Sequence, residues 1–151
     1  MKSFCIVVFL TVVCILPMQA AQKDDLLQQA FNYVFTGNIA SNDGPEIVDK
    51  PSCIVVTRDP RFPRFIRYYF GRFRSDNSRI TKTYSGRQTL YKLEVESDNV
   101  VVEYLSADKL NTVQAYKSAQ IDLPGDIDQT EKALKVIGDR CNGEQSKSPF
   151  G

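Results

Sequence analysis

The chain has 151 residues, of which 42% are hydrophobic and 25% charged, with 19 basic against 18 acidic side chains, four Cys, no His and no Trp. That size and balance suit one domain with a real core, and the chain is too apolar for a disordered tail. The lack of His removes the commonest general base, the commonest metal ligand and the usual switch near neutral pH.

The N-terminus predicts a secretory signal. Lys2 precedes an apolar run from Cys5 to Leu16, and Pro17 breaks the run before Ala20 and Ala21. The run is too short to cross a hydrocarbon layer about 30 Å thick, which needs roughly 20 residues. Residues 1–20 are therefore expected to be a cleaved signal peptide. The expected mature protein is periplasmic or secreted, with no transmembrane span. Cleavage would remove Cys5 and Cys14 and leave Cys53 and Cys141. Two cysteines in an oxidising compartment have one connectivity, which predicts a Cys53–Cys141 disulfide.

Asp24 and Asp25 precede apolar positions at Leu27, Ala30, Phe31 and Val34, and Gly37 follows. Acidic residues at the start and glycine past the end predict a helix over residues 24–36. The Gly-, Pro- and Asn-rich stretch 37–51 predicts a loop, with a short extended piece at Ile47–Val48. Cys53–Val56 is continuously apolar and predicts a strand covered on both faces. Phe65–Arg74 is aromatic and extended in character, and Arg79–Tyr84 is short and polar. Thr89, Tyr91, Leu93 and Val95 alternate with polar neighbours. Val100, Val102 and Tyr104 follow, and then one longer run carries Val113, Ala115, Ala119, Ile121 and Leu123. Alternation with polar partners predicts antiparallel pairing with one wet face. Ser75–Ser78, Ser85–Gly86 and Ser97–Asn99 are expected to be hairpin turns.

After Pro124 and Gly125, Asp126 or Asp128 is expected to cap a second helix carrying Thr130, Leu134, Ile137 and Cys141 on one face. The fold class is α+β: a single domain over residues 21–141, formed by an antiparallel meander of five or six strands with both terminal helices on one face. Residues 142–151 are expected to form a flexible tail.

One segment stands out. Eight of the nine arginines lie between positions 58 and 87; with Lys82, and against Asp59 and Asp76, they leave a local charge of +7. Arg58, Arg61, Arg64 and Arg67 recur every third residue, and Pro60 and Pro63 argue against a helix there. Polyproline II geometry would align Arg58, Arg61 and Arg64 along one edge. Guanidinium groups favour phosphate, carboxylate and aromatic partners. Arg58, Arg61, Arg64, Arg67, Arg72 and Arg74, with Tyr69 and Phe73 as stacking surface, are thus the candidate contacts to an anionic partner. That partner would be an envelope phosphate group, an acidic polysaccharide or an acidic protein surface; export makes nucleic acid a minor option. The plainer explanation is an edge strand guarded by charge, with its arginines paired internally.

Catalytic motifs are lacking. Without His and with its cysteines bridged, the chain has no Cys–His or Ser–His–Asp arrangement, and no phosphate-binding glycine motif occurs. No cofactor or metal site is expected. The sequence therefore points to a non-enzymatic binding module. A small hydrolase using carboxylates such as Glu94, Glu96 or Glu103, and a secreted inhibitor or assembly subunit, are the alternatives.

Overall fold

A computed structural model describes residues 26–142. The expected signal peptide, the first two residues of the first helix and the tail beyond Asn142 lie outside the described residues. Helix α1 occupies residues 26–36. It buries Leu27, Ala30, Phe31 and Val34, the i, i+3, i+4, i+7 set that gives a helix one apolar stripe. The polar Asn32 is buried as well. It accepts a bond from Gln28 (2.9 Å) and donates to the carbonyl of Ile39 (3.1 Å), which holds the following loop against the helix.

Eight strands follow in two antiparallel sheets. They are β1 (Glu46–Asp49), β2 (Ile54–Arg58), β3 (Phe65–Tyr69), β4 (Ser78–Ser85), β5 (Gln88–Glu96), β6 (Val102–Leu105), β7 (Thr112–Tyr116) and β8 (Ser118–Leu123). The first sheet has the order β1-β2-β3-β6-β7 and the second β4-β5-β8. The expected antiparallel α+β architecture is thus present, but it is divided into two sheets rather than drawn as a single meander. One reason is the long alternating run after Asn111. It pairs with β6 up to Tyr116 and with β5 from Ser118, so Lys117 marks a corner where the chain changes sheets.

Of the three expected hairpin turns, only Ser85–Gly86 joins paired neighbours. Ser85 faces Gln88 across the β4–β5 hairpin, and Gly86 takes a φ of 61° at the first central position, which suits a glycine. The stretches around Ser75–Ser78 and Ser97–Asn99 instead carry the chain from one sheet to the other.

Helix α2 (Ile127–Cys141) is capped by Asp126, whose carboxylate accepts the Gln129 N–H at 3.1 Å. It buries Thr130, Ala133, Leu134 and Ile137. Both helices join one core with the inner faces of both sheets: Val55, Ile66, Tyr68 and Val102 from the first, Leu93, Val95, Ala119 and Ile121 from the second. Asn142, placed in the tail by sequence, belongs to the fold. Its backbone N–H bonds to Gly138 and its side chain donates to the carbonyl of Phe73 at 3.0 Å.

Cys53 and Cys141 form the expected disulfide, with Cα atoms 5.4 Å apart. It joins the turn before β2 to the last turn of α2. At the same junction Phe70 N–H bonds to the Cys53 carbonyl at 3.0 Å. A Cβ on Gly71 would come 2.7 Å from the Ser52 carbonyl oxygen, so only glycine lets the two backbones approach this closely.

Both edges of the five-stranded sheet carry a one-residue bulge. Ile47 and Asp49 face consecutive residues of β2, which leaves Val48 over; Gln114 and Thr112 face consecutive residues of β6, which leaves Val113 over. Bulges twist an edge away from further strand pairing. This explains why two valines stand exposed at strand edges, Val48 at 49% and Val113 at 61%.

Candidate functional site

The charged segment supplies β3, with Arg67, to the centre of the five-stranded sheet and β4, with Arg79, to an edge of the three-stranded one. The even positions of β3, Ile66 and Tyr68, enter the core, so Phe65, Arg67 and Tyr69 occupy the outer face, away from the core cluster. There Val56 pairs with Arg67 and Leu105 with Phe65, and both aliphatic side chains are almost wholly buried. Long side chains roof them. Arg67 donates to Glu103 Oε2 at 2.9 Å, and the Tyr69 hydroxyl donates to the same oxygen at 2.8 Å. Burial, and then this bond, raise the Tyr69 pKa, so the phenol stays protonated. The Arg72 guanidinium lies 4.3 Å from the Tyr69 ring centre and donates to the Val100 carbonyl. Lys109 stands 4.7 Å from the Phe65 ring and 2.8 Å from Glu46. Charged side chains with apolar stems thus cover a sheet face that carries no helix.

Phe73 does not join this surface. The 3₁₀ turn Phe70–Arg72 breaks the strand alternation and carries Phe73 into the core, 2% exposed and 4.4 Å from the Phe70 ring. Arg58 and Arg74 are exposed and have no ion pair among the described residues.

The expected polyproline edge is a hairpin loop. Arg58 pairs with Phe65, so residues 59–64 turn back on themselves. Asp59 drives the turn: its backbone N–H bonds to the Arg64 carbonyl, and its carboxylate accepts the Arg61 N–H at 2.9 Å and Arg64 Nε at 2.8 Å. Burial by itself would raise the Asp59 pKa. The bonds from Arg61 and Arg64, with their charges, outweigh burial and hold the group below the ordinary carboxylate value. A depressed folded pKa contributes stability that is complete above the unfolded value and lost as pH falls through the folded one. Asp59→Asn should therefore cost about 1.5–3 kcal/mol at neutral pH, the worth of a bond to a charged group. The gap in urea midpoint between variant and wild type should close on acidification. A constant gap at all pH values would show that the charge is idle.

The same loop borders a cleft of about 560 Å³ where the two sheets splay apart. Its walls are Tyr68, Val102, Tyr104, Gln114 and Tyr116 of the first sheet and Glu94, Val95, Glu96, Ser118, Ala119 and Gln120 of the second, with Arg61, Arg64 and Arg79 also lining it. Arg64 is fixed by its Nε bond to Asp59 and stacks over Tyr104, 4.1 Å from the ring centre, and over Phe62 at 4.7 Å. Arg79, whose side chain is 75% exposed, pairs more openly through Nε with Glu94 Oε2 at 3.0 Å. In both, the terminal amino groups have no hydrogen-bond partner among the described residues. Arg61 is exposed, and its side chain has no ion pair among them. Tyr104 and Tyr116 meet edge to face at 5.8 Å. Tyr68 is only 7% exposed, and its hydroxyl has no hydrogen-bond partner among the described residues.

Two of the sequence-derived candidates, Arg61 and Arg64, therefore share this cleft, whereas Arg67, Arg72 and Tyr69 lie on the outer face of the sheet. Arg79 belonged to the charged segment but not to the expected contacts. Tyr68, Tyr104, Tyr116, Gln114 and Gln120 carried no signal beyond strand alternation. Glu94, expected on a wet strand face, is held by Arg79 and by Gln120 at 3.4 Å. Among the described residues no group of acidic or sulfur side chains could hold a metal ion, and no helix is long and apolar enough to cross a membrane. No family model, curated protein or solved structure matches the chain.

Proposed function

We propose that this chain is an exported, non-enzymatic binding module that takes an anion-bearing ligand in the cleft between its sheets. The observation that carries the reading is the set of three guanidinium groups on one cleft. Arg64 is already oriented through Nε and by its aromatic stacks, Arg79 pairs through Nε at the surface, and both keep their terminal amino groups unengaged. Pre-oriented donors lose little side-chain entropy on binding and suit bidentate contact with carboxylate or phosphate oxygens. The signal-like N-terminus supports export, and an oxidising compartment agrees with the disulfide.

The test is retention on immobilised acidic polymers (polygalacturonate, polyphosphate and dextran sulfate) with neutral dextran as control. The protein should be held by at least one acidic polymer and released as salt rises. Arg61→Ala should weaken retention and lower the thermal midpoint only slightly, because Arg61 is exposed and its charge favours ionised Asp59 without a direct side-chain ion pair. Arg64→Ala is the poorer probe, since it also breaks the Asp59 contact and the stack on Tyr104. No retention on any acidic polymer, or full retention by Arg61→Ala, would overturn the proposal.

A further inference from the structure

We infer that the cleft is built for a uronate unit of an acidic saccharide rather than for a phosphate group. This rests on the anion-binding reading above and narrows its ligand class. Charge is the first argument. Arg61, Arg64 and Arg79 face Glu94 and Glu96 in the same cleft, so its lining carries a formal +1. A phosphate monoester brings about −1.5 to −2 at neutral pH and would meet two carboxylates, whereas a uronate brings a single carboxylate. The uronate carboxylate has the planar two-oxygen edge that the terminal amino groups of a guanidinium match.

The second argument is the neutral part of the lining. A phosphate site needs donors alone, but this cleft also offers an aromatic wall and mixed polar groups. Tyr116, 43% exposed, stands edge to face against Tyr104 and presents a surface for the C–H face of a pyranose ring. Glu96 is exposed and its carboxylate has no partner among the described residues, so it can accept hydroxyl protons. Tyr68 adds a polar group to this wall. The residue is more than nine-tenths buried, and its hydroxyl has no partner among the described residues. That hydroxyl reaches the cleft rather than being sealed in the core, since Thr81 Oγ1 is the one fully buried side-chain polar atom without a bond among them. Burial pushes the Tyr68 pKa well above the ordinary value, so the phenol remains a neutral donor and acceptor suited to a sugar hydroxyl. A cleft near 560 Å³ is also of ordinary size for a small-ligand site.

The experiment is titration of the intact protein with three soluble probes: a six-residue galacturonate oligomer, a neutral galactose oligomer of similar length, and inorganic tripolyphosphate. The uronate oligomer should bind saturably, and the neutral oligomer at least tenfold more weakly. Arg61→Ala and Tyr116→Ala should each weaken uronate binding by tenfold or more. Tyr68→Phe, which keeps the ring in the core, should weaken it severalfold. Arg87→Ala at the exposed β4–β5 hairpin tip should leave it unchanged. Tripolyphosphate binding as tightly as the uronate, and lost with Arg61→Ala but not with Tyr116→Ala, would overturn the saccharide inference while leaving the anion-binding reading standing. Binding of neither anion would overturn both. Equal weakening by Arg87→Ala would reduce the uronate effect to general electrostatics and overturn the site.

Discussion

Replacing Cys53 and Cys141 together with alanine should lower stability by about 2–5 kcal/mol, the usual cost of losing a native disulfide from a small secreted domain. The bridge spans a sequence separation of 88 residues and encloses everything from β2 to the end of α2, leaving α1 and β1 outside the loop. Chain-entropy models give such a loop on the order of 4–5 kcal/mol, acting on the unfolded chain, and treat that as an upper figure. The structural consequence is local as well. The bridge is where the end of α2 meets the turn before β2, beside the Phe70–Cys53 backbone bond and the tight Gly71–Ser52 approach. Hydrogen exchange in the double variant should thus rise first in the last turn of α2 and around residues 70–73, before the strands of the second sheet. Thermal unfolding of the variant, and of wild type with and without reductant, checks the prediction. Coincident midpoints would show that the bridge adds nothing to stability.

Phe31→Ala should cost about 3–5 kcal/mol, the range for truncating a fully buried aromatic side chain. Phe31 is 0% exposed and meets Phe70 edge to face at 4.9 Å. Phe70 in turn touches Phe35, Tyr68 and Phe73, so the cavity would open at the centre of an aromatic cluster joining α1, β3 and the 3₁₀ turn. Rigid rings collapse poorly into a void, which places the cost toward the upper end. Against a total stability of about 5–15 kcal/mol this is a large fraction. Urea unfolding should show a lower midpoint at unchanged slope. A loss below about 1 kcal/mol would mean that the cluster repacks and that α1 is not the keystone its burial suggests.

The helices were legible because their information is local. The spacing of Leu27, Ala30, Phe31 and Val34, and of Thr130, Leu134 and Ile137, states both the helix and its buried face within one short window. The cap was legible only as a choice between Asp126 and Asp128, and the structure decides for Asp126, whose carboxylate accepts the Gln129 N–H. Strand existence was legible for the same reason, but strand partnership was not. Alternation through Val113, Ala115, Ala119 and Ile121 reads as one strand, and nothing in the period tells that Ala115 pairs with Glu103 while Ala119 pairs with Val95. The corner at Lys117 exists because one core must be closed by both sheets at once.

The arginines divide along the same line. Sequence alone determined that a cationic, aromatic segment lies between residues 58 and 87, that the two cysteines left after the expected signal would pair, and that histidine chemistry is closed to this protein. Tertiary structure decided what each arginine does. Arg67 and Arg72 cover the outer face of a central strand, whereas Arg61, Arg64 and Arg79 stand at a cleft with tyrosines from β3, β6 and β7. A charge is written in one residue, but its partners come from chain segments such as 94–120 that only folding brings near. The proposed contacts depend on those partners, which is why the composition marked the segment while only the packing of two sheets forms the cleft.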